Sequence, residues 1–136
     1  MNAIRTMNGV GRCTAEPVRT KAPRLVVGLG VSGVAAAVEN HFRANGWDVA
    51  RSMTGMEAGK LAQRTRATAV VLAVGAEPES GLLTCAKLTA VRPGVRVVLV
   101  GPECPRLAKY ARYAGAISYL PEGSGVSAIV RAVLGH

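Results

Sequence analysis

The chain has 136 residues, 49% apolar and 18% charged, which is long enough for one hydrophobic core and too apolar for a disordered segment. Seventeen Lys and Arg against eight Asp and Glu leave a formal charge of +9, which favours acidic partners without choosing among nucleic acid, anionic membrane and acidic protein. Two scattered His and three Cys without a Cys-x-x-Cys spacing exclude a conventional structural zinc site and a full intramolecular disulfide framework, and no apolar run approaches the roughly 18 residues of a membrane span.

Residues 1–23 show no hydrophobic period and are read as a flexible basic arm, followed by one domain over 24–136. Up to Arg24 the bases Arg5, Arg12, Arg19, Lys21 and Arg24 face the single acid Glu16. The arm shares the Arg-rich, acid-poor composition of a transit peptide but not its amphipathic pattern, and it lacks the apolar core of a secretory signal, so the expected setting is cytoplasmic.

Leu25-Val26-Val27 reads as a short buried strand ended by Gly28 and Gly30. Ser32 stands where it would cap a helix with Val34, Val38 and Phe42 on one apolar stripe, and Asn45-Gly46 is a stop signal. Residues 47–51 form a weaker second strand. Thr54-Gly-Met-Glu57 spells a capping box: the hydroxyl takes a free N–H while the carboxylate reaches back, ahead of a helix running to about Arg66. The continuous apolar run 69–74 suits a strand buried on both faces. A loop with Pro78 and Gly81 leads to a helix over 82–91, broken by Pro93-Gly94. A strand over 95–100, a helix over 107–114 stopped by Gly115, a strand over 116–120 and a helix over 126–134 complete the chain. That last helix turns Val126, Ile129, Val130 and Val133 inward.

Five strand–helix alternations predict an α/β fold, a (βα)5 three-layer sandwich with a central parallel five-stranded sheet and helices on both faces. Ligands of such sheets bind beyond the C-terminal strand ends. Here those are the loops 28–32, 52–54, 74–80, 101–105 and 121–124.

Three stretches carry a resemblance to a known family: Ser52-Met-Thr-Gly-Met-Glu-Ala, Arg92-Pro-Gly-Val-Arg-Val-Val-Leu-Val-Gly and, most specifically, Ala114-Gly-Ala-Ile-Ser-Tyr-Leu-Pro. Over about 24–136 the chain resembles the receiver domain of bacterial response regulators, a flavodoxin-like (CheY-like) fold. The resemblance implies an acidic pair after the first strand that holds Mg²⁺ and a phosphoaccepting Asp after the third. It also implies a hydroxyl residue after the fourth strand and a lysine after the fifth, both on the phosphoryl oxygens. A hard dication wants carboxylate oxygens and neutralises the phosphoryl group in transfer. The matching positions are Gly28 and Leu29 for the acids, Ala73 for the acceptor, Gly101 for the hydroxyl and Glu122 for the lysine; all five depart from the pattern. The one Asp of the chain, Asp48, lies in the second strand. Glu77 and Glu79 sit beyond the third strand, where a solvated loop is the plainer account than an ion site. The chain is therefore similar to the degenerate, pseudo-receiver branch, which keeps the fold as a protein-contact surface and loses the phosphorylation switch. Tyr119 matches the family's switch aromatic; with no acceptor to sense, it reads as a half-buried residue packing the fifth strand.

A second motif competes. Gly28-Leu-Gly-Val-Ser-Gly33 is a G-x-G-x-x-G between a strand and a helix, the context of a dinucleotide fingerprint. Gly28, Gly30 and Gly33 would admit a pyrophosphate, and Arg51, in place of the usual acid, would suit the 2′-phosphate of NADP. Against it stand the receiver-like remainder and the lack of a second half for nicotinamide and substrate. Otherwise glycines simply fill an emptied acidic pocket.

Other chemistry finds no support. His41 is expected on a solvent face, Cys85 in the core, and Cys13 and Cys104 have no His to activate them, so no enzyme, cofactor or metal is expected. Arg106, Lys109 and Arg112 recur every three residues beside Tyr110 and Tyr113, either a solvated helix face or a contact surface. In receivers this region is the usual dimer and partner face. The expected function is a phosphorylation-independent interaction or dimerisation module in bacterial regulation. It acts alone or as the front part of a longer regulator; the alternative readings are a small NADP-binding Rossmann-like domain and a basic nucleic-acid-binding accessory protein, with non-specific nucleic-acid contact through the arm.

Overall fold

Five short segments pair as one parallel sheet in the computed structural model, which describes residues 22–30, 33–75 and 80–135. The elements in chain order are β1 (Arg24–Gly28), α1 (Gly33–Ala44), β2 (Asp48–Arg51), α2 (Gly55–Thr65), β3 (Ala69–Ala73), α3 (Gly81–Val91), β4 (Arg96–Gly101), α4 (Pro105–Tyr113), β5 (Ser118–Pro121) and α5 (Val126–Leu134). Their spatial order is β2-β1-β3-β4-β5, so the expected (βα)5 sandwich is borne out, with the chain reversing its direction of travel between β1 and β3.

Period-two alternation divides the core. Val26, Val70, Leu72, Val97 and Leu99 face α2, α3 and α4, where Ala58, Ala62, Cys85, Leu88 and Ala111 meet them. Leu25, Val27, Val71 and Val98 face α1 and α5, closed by Ala35, Val38, Phe42, Ile129 and Val133. Both layers cover β3, which explains its unbroken apolar run. Phe42 is 1% exposed and meets Trp47 edge-on, ring centroids 5.0 Å apart.

Several expectations need correction. The buried stripe of α1 is Ala35, Val38, Glu39 and Phe42; Val34 is 42% exposed, because a four-residue spacing drifts about 40° per step around a helix of 3.6 residues per turn. The capping box is half made. Thr54 Oγ1 accepts from the Glu57 N–H at 3.1 Å, but the Glu57 carboxylate lies 3.5 Å from the Ser52 hydroxyl instead of reaching back to Thr54. The first four strands begin or end a residue away from the sequence expectation, and the fifth starts two residues later, at Ser118, after the Ala116 N–H has closed the α4 turn on the Ala111 carbonyl and the Ile117 N–H has bonded the Val97 carbonyl of β4. The fourth helix starts earlier, with Pro105 in its first turn, where a missing N–H costs nothing. Gly46, at φ +87°, ends α1 as expected. The arm through residue 21, the Ser32 cap, Glu77, Glu79, Cys13 and His136 lie outside the described residues.

Candidate functional site

The strand registers bring the expected positions to one rim. Gly28 lies beside Leu72, Ala73 beside Val100 and Gly101 beside Pro121, all at C-terminal strand ends. Alternation then sends them to different sides of the sheet. Gly28 and Gly101 belong to the α2–α4 layer. A Cβ on Gly28 would stand 2.7 Å from the Ala58 Cβ and 3.1 Å from Leu72 Cδ2, contacts that neither a short alanine nor a packed leucine relieves. A Cβ on Gly101 would stand 2.7 Å from the Tyr119 hydroxyl and 3.0 Å from Val74. At Gly28 a fixed neighbour fills the room that an acid side chain needs; at Gly101 the room is taken by the tip of the Tyr119 side chain, with Val74 in tight contact.

Leu29, Ala73 and Glu122 share one open concavity of about 260 Å³ on the α1–α5 side, with Val34, Val100 and Pro121 among its walls. Leu29 also packs against the α1–α5 core. The lining is mostly apolar, and Glu122 is its one charged member. A carboxylate there repels a phosphoryl group where a lysine would attract it. Among the described residues no group of three or more His, Cys, Asp or Glu is placed to hold a metal ion.

Tyr119 is half-buried against the α2–α4 core, and its hydroxyl donates to the Pro102 carbonyl. Burial, and then Cys104 and Glu122, push its phenol above the ordinary range. The Tyr119 hydroxyl thereby stands over Gly101.

The dinucleotide candidates separate. Gly28 is walled in as described, while Gly30, at φ +73°, and Gly33 have open space around them. The Arg51 guanidinium is hydrogen-bonded to the Glu39 carboxylate, which also receives Arg43 at 3.4 Å. Glu39 is 4% exposed, and its hydrogen bond and charge raise the Arg51 pKa against a smaller opposing effect of desolvation. Arg51 is thus engaged by its own chain, and a 2′-phosphate has to compete with a buried carboxylate for it. The sequence reading missed this cluster, although Glu39 and Arg43 stand at the i,i+4 spacing that announces such a pair.

On α4, Arg106, Lys109 and Arg112 are all exposed. Tyr110 and Tyr113 are exposed too, Tyr113 at 76%, with the Lys109 ammonium 6.0 Å from its ring centroid. Ala111 is the buried residue of that helix. His41 is exposed and Cys85 fully buried, as expected; burial pushes the Cys85 thiol up to about 11.

No protein-family model matches the chain, and no curated protein does. Solved structures do. A CheY-like response regulator receiver domain from Methanospirillum hungatei superposes with a TM-score of 0.72 at 14% identity, over 85% of this chain and 93% of that one. The signal receiver domain of the putative response regulator NarL from Mycobacterium tuberculosis gives 0.72 at 19% identity, over 86% and 100%. A response regulator protein from Burkholderia pseudomallei, solved with a phosphorylated aspartic acid, a calcium ion and citrate, gives 0.70 at 23% identity, over 83% and 66%. The fold is therefore that of response-regulator receiver domains, as the sequence resemblance implied. No helix among the described residues is long and apolar enough to cross a membrane.

Proposed function

We propose that this chain is a phosphorylation-independent pseudo-receiver: a receiver-like module over 24–136, preceded by a basic arm over 1–23, that regulates by protein contact and performs no catalysis. The observation that carries the reading is the filled rim. Ala58 and Leu72 crowd Gly28, Tyr119 and Val74 crowd Gly101, and on the other side of the sheet the concavity is walled by Leu29, Ala73 and Glu122. A phosphoryl switch needs a carboxylate acceptor and a carboxylate-held dication, and these positions offer neither.

The contact surface in this reading is the face formed by α4, β5 and α5. Its exposed Arg106, Lys109, Tyr110, Arg112 and Tyr113 combine Arg with aromatics, the composition of interface hot spots. The partner is a protein of a bacterial regulatory pathway in the cytoplasm or a second copy of the chain, and no cofactor or metal takes part.

Incubation of the full chain with acetyl phosphate and Mg²⁺ tests the first half. The intact mass stays unchanged; a stoichiometric, acid-labile phosphoryl adduct mapped near β3 overturns it. The triple change Arg106→Glu, Lys109→Glu, Arg112→Glu tests the second. Each exposed substitution costs within about 0.5 kcal/mol, so the domain stays folded by circular dichroism while self-association or partner capture is lost. An assembly indifferent to the triple change places the contact elsewhere.

A further inference from the structure

Among the described residues most arginines gather at one end of the strands and the exposed acids, with Arg51 and Arg106, at the other. At the end where the strands begin and the helices finish, arginine stands at nearly every boundary: Arg64, Arg112 and Arg131 in last helical turns, Arg66 and Arg92 at helix caps, Arg96 at the head of β4. Arg24 and Arg43 belong to the same end, and Asp48 is the acid among them, 3.8 Å from Arg24. The exposed acids Glu57, Glu103 and Glu122 lie at the opposite rim. The three described lysines, Lys60, Lys87 and Lys109, sit part-way along helices, so the basal end is an arginine surface and not merely a basic one.

Some of these arginines hold the fold together. Arg24 donates to the Thr65 carbonyl at 2.7 Å, Arg92 to the Ala67 carbonyl at 2.8 Å, and Arg43 pairs with Glu39. Arg64, Arg66 and Arg131 are exposed and do none of this. The helix dipole favours a cation in a last turn and accounts for the position of Arg64 and Arg131. It does not account for Arg66, whose φ of +56° is a left-handed conformation that suits glycine and is strained for a long side chain. Arg66 also lines, with Arg92 and Gln63, an open concavity of about 500 Å³ between the ends of α2 and α3. Residues 1–21, carrying Arg5, Arg12, Arg19 and Lys21 against Glu16, join the described chain at Ala22, at this same end of β1.

We propose that the basal arginine end is a docking surface for the phosphate backbone of a nucleic acid. Guanidinium forks match phosphate oxygens in pairs, which an ammonium does not. Neutralising phosphates releases counterions and carries no base information, so binding is salt-dependent and indifferent to sequence. A nucleic acid fits better than a bilayer. The arginines come from helices on both faces of the sheet, whereas a membrane-lying segment presents one helix with an apolar strip. The exposed apolar residues here, Val91, Tyr113, Ile117 and Leu134, come one from each of four separate segments.

The test is fluorescence anisotropy of the full chain with a labelled mixed-sequence duplex of about two turns, titrated across salt. The pair Arg66→Glu, Arg131→Glu is compared with Lys60→Glu, Lys87→Glu, which removes the same charge from the flank. Circular dichroism verifies that all variants fold; none of the four residues lies on α4, and because Arg131 lies on α5 the single change Arg66→Glu is measured alongside the pair. The basal pair lowers affinity at least tenfold at about 0.1 M salt and flattens the slope of log K against log salt by about 1.8, two phosphate contacts. The flank pair changes both far less. Equal losses in the two pairs mean that net charge alone binds and overturn the proposal. So does an undetectable complex at about 0.1 M salt, or tighter binding to phosphatidylglycerol vesicles than to duplex at the same salt.

Discussion

The two ends of the sheet treat polar chemistry in opposite ways. At the C-terminal rim, small and apolar residues occupy the positions where receiver-type chemistry gathers charge: Gly28 and Gly101 touch their neighbours, and Leu29 and Ala73 line an apolar hollow. At the basal end, where an α/β sheet ordinarily keeps no ligand, arginines collect, some bonded to backbone carbonyls and some exposed. Fold and site are separable, and a sheet can close its usual binding end while the other end carries the charge.

The largest effect comes from trying to reopen the rim. Gly28→Asp forces a Cβ into Ala58 and Leu72 and buries a carboxylate without a partner. Overpacking alone costs about 1–3 kcal/mol, and desolvating the carboxylate brings the loss to roughly 3–5 kcal/mol. Chemical denaturation measures it; a variant as stable as wild type means that the rim has room after all. Next is a basal arginine that the fold uses. Arg92→Ala removes the donor to Ala67, whose residue is fully buried, and destabilises by about 1–3 kcal/mol in the same assay. A third change sharpens the contrast among the arginines. Arg66→Gly relieves a left-handed φ and raises stability by about 0.5–1 kcal/mol, while nucleic-acid affinity falls. If affinity also rises, Arg66 makes no phosphate contact; if stability drops, Arg66 is a structural residue like Arg92.

The smallest effect lies between the two ends. Cys85 sits in the α2–α4 layer with its thiol pushed up to about 11 by burial. A raised folded-state pKa means that the unfolded chain gives up this proton first. The contribution is intact below the ordinary value of 9.0 and is lost as pH climbs towards about 11. Denaturation midpoints of wild type therefore fall over that window more than those of Cys85→Ala, each relative to its own value at neutral pH. Parallel curves would contradict the assignment.

The architecture was legible because its signals are local. The apolar runs of the strands, the Asn45-Gly46 and Pro93-Gly94 stops and the Thr54 cap each need only a few neighbours to act. The contents of the rim were legible as residue types: Gly28, Leu29 and Ala73 carry no carboxylate, and Glu122 stands where the pattern has a lysine. Their packing was not. That Ala58 crowds Gly28 and Tyr119 crowds Gly101 depends on pairs 30 and 18 residues apart, and periodicity carries no such distance. Arg51 read as an available cation because Glu39, twelve residues earlier, gave no sign of turning inward. The basal arginines were dispersed along the sequence as ordinary helix-end residues, and only the parallel topology gathers them on one end.

The central claim is that the rim cannot take up a phosphoryl group. The most direct measurement is the amide NMR spectrum of the full chain with Mg²⁺ and beryllofluoride, a phosphoryl mimic, added together. The account predicts unchanged resonances at Leu29, Ala73, Gly101 and Glu122. Saturable shifts at those amides, absent when either Mg²⁺ or beryllofluoride is withheld, would contradict it.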